Sequence, residues 1–180
     1  MSQEEIQQMI NRSIKGDKKS FECLVTAYQS MVFRLAFRLL CDEEEAKDIV
    51  QETFVKVWFN LEKYNSNYKF STWIYKITCN LAYDRLRSQK YVLQKIESVE
   101  ASEIVNENAE KSLINKDLKK LIIYFTEKLP AKQKLVFTLR DIEDLEVEEV
   151  EKITGMSAEK IKSNLYLARK YIREKLETLM

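Results

Sequence analysis

The sequence predicts an all-α protein built as two small helical domains joined by a flexible linker. Three observations lead there. Only 2 of the 180 residues are glycine and 1 is proline, too few for the tight turns that a sheet-rich fold needs. Apolar residues recur at intervals of three and four in both halves of the chain, which is the period of an amphipathic helix. Between Ser88 and Asp117 this recurrence gives way to a polar stretch carrying Glu97, Glu100, Glu103, Glu107 and Glu110, the composition of a linker. The expected boundaries are an N-terminal domain over 1–90, a linker over 91–117 and a C-terminal domain over 118–180.

The elements follow in order. Ser2 and Glu5 have the spacing of a capping box, Ile6, Met9, Ile10 and Ile14 form a helical stripe, and Gly16 offers a stop. A second helix starts at Asp17 and runs through Phe21, Leu24, Val25, Tyr28, Val32, Leu35, Ala36 and Leu39, with a candidate break at Gln29-Ser30. Asp42 caps a third, whose inner stripe is Ala46, Ile49, Val50, Phe54, Val57 and Leu61 and whose acids crowd the first turn, where the helix dipole favours them. After a polar loop from Asn60 to Lys69, Ser71 is expected to cap a fourth helix with Trp73, Ile74, Ile77 and Leu81 inward. Its other side carries Lys76, Asn80, Tyr83 and Arg87 at spacings of four, three and four, so two bases, an amide and a ring share one face. Val92, Leu93 and Ile96 offer a short helical extension into the linker.

In the second half a helix is expected around Leu118 to Lys128. Leu129-Pro130 then begins another, with Leu135, Val136, Leu139 and Ile142 inward. Val147, Val150 and Ile153 next make a short helix, followed by Gly155, Met156 and the N-cap residue Ser157. A buried stripe of Ile161, Leu165, Ala168, Ile172 and Leu176 completes a helix-turn-helix. The opposite face of the last helix holds Lys162, Ser163, Tyr166, Arg169, Lys170 and Arg173. A donor-rich face with one ring suits phosphates and major-groove base edges.

Composition excludes much chemistry. No histidine is present, which removes His-based triads and His-based zinc sites. Gly16 and Gly155 are too far apart for a phosphate-cradling loop, and Cys23, Cys41 and Cys79 are too scattered for a metal site. No catalytic residue, metal site or cofactor is expected. The N-terminus MSQEEIQQ lacks the basic and apolar regions of a secretory signal, and Met31 to Cys41 is far shorter than a membrane span. The expectation is a cytoplasmic protein without membrane insertion.

Charge sums to only +1 but is segregated. Asp42 to Glu52 holds six acids and one base, and Leu61 to Lys90 holds six bases and two acids. Asp141 to Glu151 holds seven acids and no base, and Lys160 to Lys175 six bases and one acid. Separate basic and acidic faces point to separate partners.

Taken together, these stretches resemble the extracytoplasmic-function group of bacterial sigma factors. The resemblance rests on Phe21-Glu22 with Tyr28, on the run from Ala46 through Asp48, Gln51, Glu52 and Phe54 to Trp58, and on the run from Phe70 through Trp73, Asn80 and Asp84 to Arg87. In the second half it rests on Leu129-Pro130, on Val136 to Arg140, and on Gly155 to Leu165 ending in Ala168-Arg169-Lys170. It implies a non-enzymatic subunit of RNA polymerase whose partners are polymerase core, promoter DNA and an anti-sigma factor. The third helix would meet core through Asp48, Gln51, Glu52 and Val55. Tyr64, Tyr68, Lys76, Asn80, Tyr83 and Arg87 would open the −10 element and hold its single strand by stacking and charge. Lys162, Ser163 and Tyr166 would read the −35 element with Asn164 at the flank, and Arg169, Lys170 and Arg173 would mainly meet phosphates.

Three residues depart from the family pattern. Glu151 stands where a small residue is usual, Thr154 where an apolar one is, and Asn164 where Arg is common. The expectation is a looser or shifted contact between the two helices, with a promoter preference of its own. Two other readings fit the composition. A helix-turn-helix regulator acting alone would bind its site tightly without polymerase, and a helical protein-protein adaptor would show no DNA-dependent activity.

Overall fold

The computed structural model describes residues 1–97 and 124–178, with side chains for 1–88 and 124–178. The first half is four helices: α1 (Gln3–Ile14), α2 (Lys18–Leu40), α3 (Glu43–Asn60) and α4 (Phe70–Glu97), with a 3₁₀ turn at Leu61–Lys63. The second half has helical residues 124–127, then α5 (Ala131–Phe137), a π turn (Thr138–Ile142), α6 (Val147–Thr154) and α7 (Ala158–Glu177). No strand occurs among the described residues.

Local chemistry sets most of the ends. Both bonds of the Ser2/Glu5 capping box form, at 3.2 and 2.7 Å. Asp17 caps α2 and Asp42 caps α3 through its carboxylate, which accepts from the Glu45 amide at 3.0 Å. Gly16 adopts φ +90°, which only glycine takes without strain. Three expected boundaries move. Residues Gln29 and Ser30 lie inside an unbroken α2, because the apolar period runs through them without interruption. Helix α4 starts at Phe70, so Ser71 sits in its first turn and does not cap it. The buried Phe70 ring fixes that start, packing edge-on against Tyr28 and Tyr64. Pro130 precedes α5 by one position and serves as its N-cap.

Helix α4 also runs on to Glu97, seven residues into the segment assigned to the linker, which is the helical extension expected over Val92, Leu93 and Ile96. The remainder of that linker, with the expected start of a helix at Leu118, lies outside the described residues.

Helix α2, 23 residues long, is apolar enough to cross a membrane by length and composition, against the expectation from the shorter Met31 to Cys41 stretch. Part of that apolarity lies in the core. Leu24, Val32, Leu35, Ala36 and Leu39 are buried among α1, α3 and α4. Burying one such side chain contributes about 1.5–3 kcal/mol, so this helix is held by its own bundle.

The two halves are docked, which no local pattern foretold. One apolar cluster joins Leu39, Tyr75 and Ala82 of the first half to Phe137, Val150 and Ile153 of the second. Beside it, the buried Lys134 of α5 donates to the Leu39 carbonyl at 3.3 Å. Its ammonium thereby satisfies an orphan acceptor at the C-terminal end of α2, where positive charge is favoured.

Candidate nucleic-acid interface

Helix α7 is placed by the turn before it. Gly155 takes φ +69° and its amide closes α6 on the Glu151 carbonyl at 2.8 Å. Ser157 then caps α7 by accepting from the Lys160 amide at 3.5 Å. The two unusual residues of this motif have work to do here. The Glu151 carboxylate crosses the turn and accepts from the Ala158 amide at 2.7 Å, so a second orphan donor of α7 is satisfied and the two helices are tied together. Thr154 donates to the Val150 carbonyl at 2.7 Å and accepts from the Met156 amide at 3.2 Å. Against the expected looser contact, Glu151 bonds across the turn to α7, while Thr154 bonds within α6 and to the turn itself.

With Ile161, Leu165, Ala168 and Ile172 buried, α7 turns Lys162, Ser163, Tyr166, Lys170 and Arg173 outward. Tyr166 is 67% exposed, a large ring with no place in the core. Three of the expected DNA-facing residues have partners within the domain, among them Lys170, whose ammonium stands 3.8 Å from the exposed Glu174 carboxylate. Arg169 makes a bidentate pair with Asp141 at 2.6 and 2.8 Å, and that bond raises its pKa. Asn164 turns its amide back onto the Lys160 carbonyl at 2.7 Å. Both side chains would have to leave these partners to read DNA.

On α4, Lys76, Asn80 and Arg87 are exposed and Tyr83 is half-buried along one face, as the spacing requires. The preceding loop separates its two rings. Tyr64 packs at 5.1 Å from Phe70 and 5.5 Å from Trp73 and donates its hydroxyl to the Tyr68 carbonyl at 2.5 Å. Burial raises its pKa. Tyr68 is 45% exposed and faces a pocket of about 280 Å³ whose walls include Asn65, Trp73 and Lys76. Tyr64 therefore supports the loop, and Tyr68 is the ring it offers.

On α3, Asp48, Gln51, Glu52 and Val55 are all exposed and share the outer side. Glu52 already has a partner: Arg85 bridges it at 2.7 Å and Glu45 at 2.9 Å, fastening α3 to α4. Sequence reasoning missed two features of this side. Phe59 is 77% exposed, four residues after Val55 and so in register with the same stripe. The spacing alone could have found it. A groove of about 500 Å³ beside Gln51, lined by Phe33, Arg34 and Val50, needs α2 as its other wall and has no sequence signature.

Residues 24–91 match the model of Sigma-70 region 2, and residues 120–172 match that of Sigma-70, region 4. The ECF RNA polymerase sigma factor SigW of Bacillus subtilis (strain 168) is 31% identical, over 97% of this chain and 98% of its own. This chain belongs to the ECF sigma factor family. The RNA polymerase sigma-H factor of Pseudomonas aeruginosa is 26% identical over 100% of this sigma factor and 98% of its own length. Among solved structures, CnrH in complex with the cytosolic domain of CnrY has a TM-score of 0.69 at 19% identity, covering 97% and 98% of the two chains. The sigma factor RpoE of Bartonella quintana, in complex with the anti-sigma factor NepR, has the same TM-score at 20% identity, covering 88% and 98%. These two likenesses show the fold. As a sigma factor, this protein directs transcription initiation, and sigma factors bind RNA polymerase core and promoter DNA.

Proposed function

We propose that the three surfaces divide that task. The outer side of α3, through Asp48, Gln51 and Val55 with Phe59 added, meets polymerase core. Glu52 joins it once released from Arg85. Lys76, Asn80, Tyr83 and Arg87 of α4, with Tyr68 of the loop, hold the separated strand of the −10 element, and Tyr64 supports them. A ring that stacks on a base is worth about 1–3 kcal/mol, comparable to the cost of unstacking it. Lys162, Ser163 and Tyr166 of α7 meet base edges of the −35 element, Lys170 and Arg173 meet phosphates, and Arg169 and Asn164 contribute only after giving up their present bonds.

The chain acts by binding and catalyses no reaction itself. It works in the cytoplasm, beside polymerase, and is held in check by an anti-sigma factor, as the RpoE of similar fold is bound by NepR.

One observation carries this reading. A turn braced by Glu151 and Ser157 presents α7 with its apolar stripe buried and its cations and Tyr166 in solvent. The test is transcription from genomic DNA with purified core, the transcripts being sequenced. Start sites sharing two spaced elements are the expected result. Permanganate footprinting should then show weaker thymine reactivity at those sites for Tyr68→Ala and Asn80→Ala. Transcripts identical with and without the chain would end the proposal.

A further inference from the structure

Two large apolar side chains stand exposed in the described second half, and they are neighbours on α7: Tyr166 at 67% and Leu167 at 44%. Tyr166 belongs to the surface proposed for −35 base edges, whereas Leu167 has no role in it. Nor does the core account for Leu167, which stays outside the apolar cluster that takes in Tyr171 and Leu176 of the same helix. Ser163 and Lys170 share one line down the exposed side of α7, and Tyr166 and Leu167 fall between them on either side of that line.

The two sides differ in charge. Lys162, Arg169 and Arg173 lie on the Tyr166 side and share with it a groove of about 600 Å³, a lining suited to phosphates. On the Leu167 side, Asn164 gives its amide to the Lys160 carbonyl at 2.7 Å. A leucine side chain has no donor and no acceptor, so against a phosphate or a base nitrogen or oxygen it would displace water without replacing its hydrogen bonds. The major groove offers one apolar group on a base edge, the C5 methyl of thymine. We propose that Leu167 is a specificity residue of this protein, packing on a thymine methyl of the −35 element beside the bases met by Ser163 and Tyr166. The inference rests on the assignment of α7 to the −35 element given above and names one base pair of it: an A·T pair oriented with its thymine under Leu167. Burying one methyl group is worth about fourfold in affinity.

The test uses holoenzyme, the full chain with polymerase core, on duplex probes carrying the −35 element found upstream of its own transcript starts. Each thymine of that element, on either strand, is replaced in turn by deoxyuridine, which removes the methyl and keeps every hydrogen-bonding group. The parent should bind one such probe about fourfold more weakly. Leu167→Ala, an exposed substitution that suits a helix, should bind the thymine and deoxyuridine forms of that probe alike. Lys170→Ala should weaken both forms and keep the fourfold ratio. The proposal is overturned if no deoxyuridine probe weakens the parent, or if Leu167→Ala retains the ratio. A Leu167→Ala loss that is equal on all probes overturns it too and makes Leu167 a contact to polymerase. In each of those outcomes, a base preference altered by Lys162→Ala keeps the −35 reading of α7 standing. If Lys162→Ala and scrambling of the −35 element both leave binding unchanged, that reading fails and the proposal falls with it.

Discussion

Replacing Glu151 by Ala should show how much one cross-turn bond contributes to the helix-turn-helix. The Glu151 carboxylate is half-buried and accepts from the first amide of α7 at 2.7 Å, while Ser157 serves the third. Losing a side-chain acceptor at a helix N-terminus costs about 1 kcal/mol. Removing the negative charge from the positive end of the helix dipole adds about 0.5 kcal/mol. The sum is about 1.5 kcal/mol, and at about 2–4 °C per kcal/mol for a chain of this size the melting temperature should fall by about 3–6 °C. Glu151→Gln keeps an oxygen acceptor and loses only the charge, so it should melt about 1–2 °C below the parent. Circular dichroism of the helical signal during heating is the assay. A Glu151→Ala protein that melts with the parent, or a Glu151→Gln protein as unstable as Glu151→Ala, would refute the capping argument.

Other outcomes can be checked with the same protein. Lys134→Met leaves the Leu39 carbonyl without its donor, and the urea midpoint should drop by the equivalent of about 1–3 kcal/mol; an unchanged midpoint would show that the contact between the halves is dispensable. A thiol reagent should modify exposed Cys23 of the native protein promptly and the other two cysteines slowly. Burial pushes the Cys41 thiol up to about 11 and that of Cys79 further, and the thiolate is the reacting form; three equally fast thiols would contradict this packing. In promoter binding by the complex with polymerase, Lys170→Ala should lower the slope of log affinity against log salt by about one unit at every sequence, whereas Lys162→Ala should change base preference. Salt titrations on matched and altered −35 elements separate the two.

The sequence by itself determined the helices, most of their ends and the direction of their faces. Capping residues such as Ser2, Asp17, Asp42 and Ser157 act on amides two or three positions away, and a stripe such as Ile161 to Ile172 repeats with the helix turn. Such signals are local in the chain and survive without knowledge of the fold. They also located the exposed faces of α3, α4 and α7, because the side opposite a buried stripe is fixed by the same period.

What those faces are free to do was settled by partners distant in sequence. Arg169 is held by Asp141 and Arg85 by Glu45 and Glu52, Tyr64 is packed between Phe70 and Trp73, and Lys69 meets Glu149. Charge and ring counts are the same whether such side chains are paired or free, so composition cannot tell the two apart. The start of α4 followed the same logic, since burial of Phe70 overrode the capping preference of Ser71. Docking of the halves belongs wholly to tertiary structure. It depends on the joint shape of Tyr75, Val150 and Ile153 and on Lys134 reaching the end of α2, and no period along a single helix encodes how two surfaces fit.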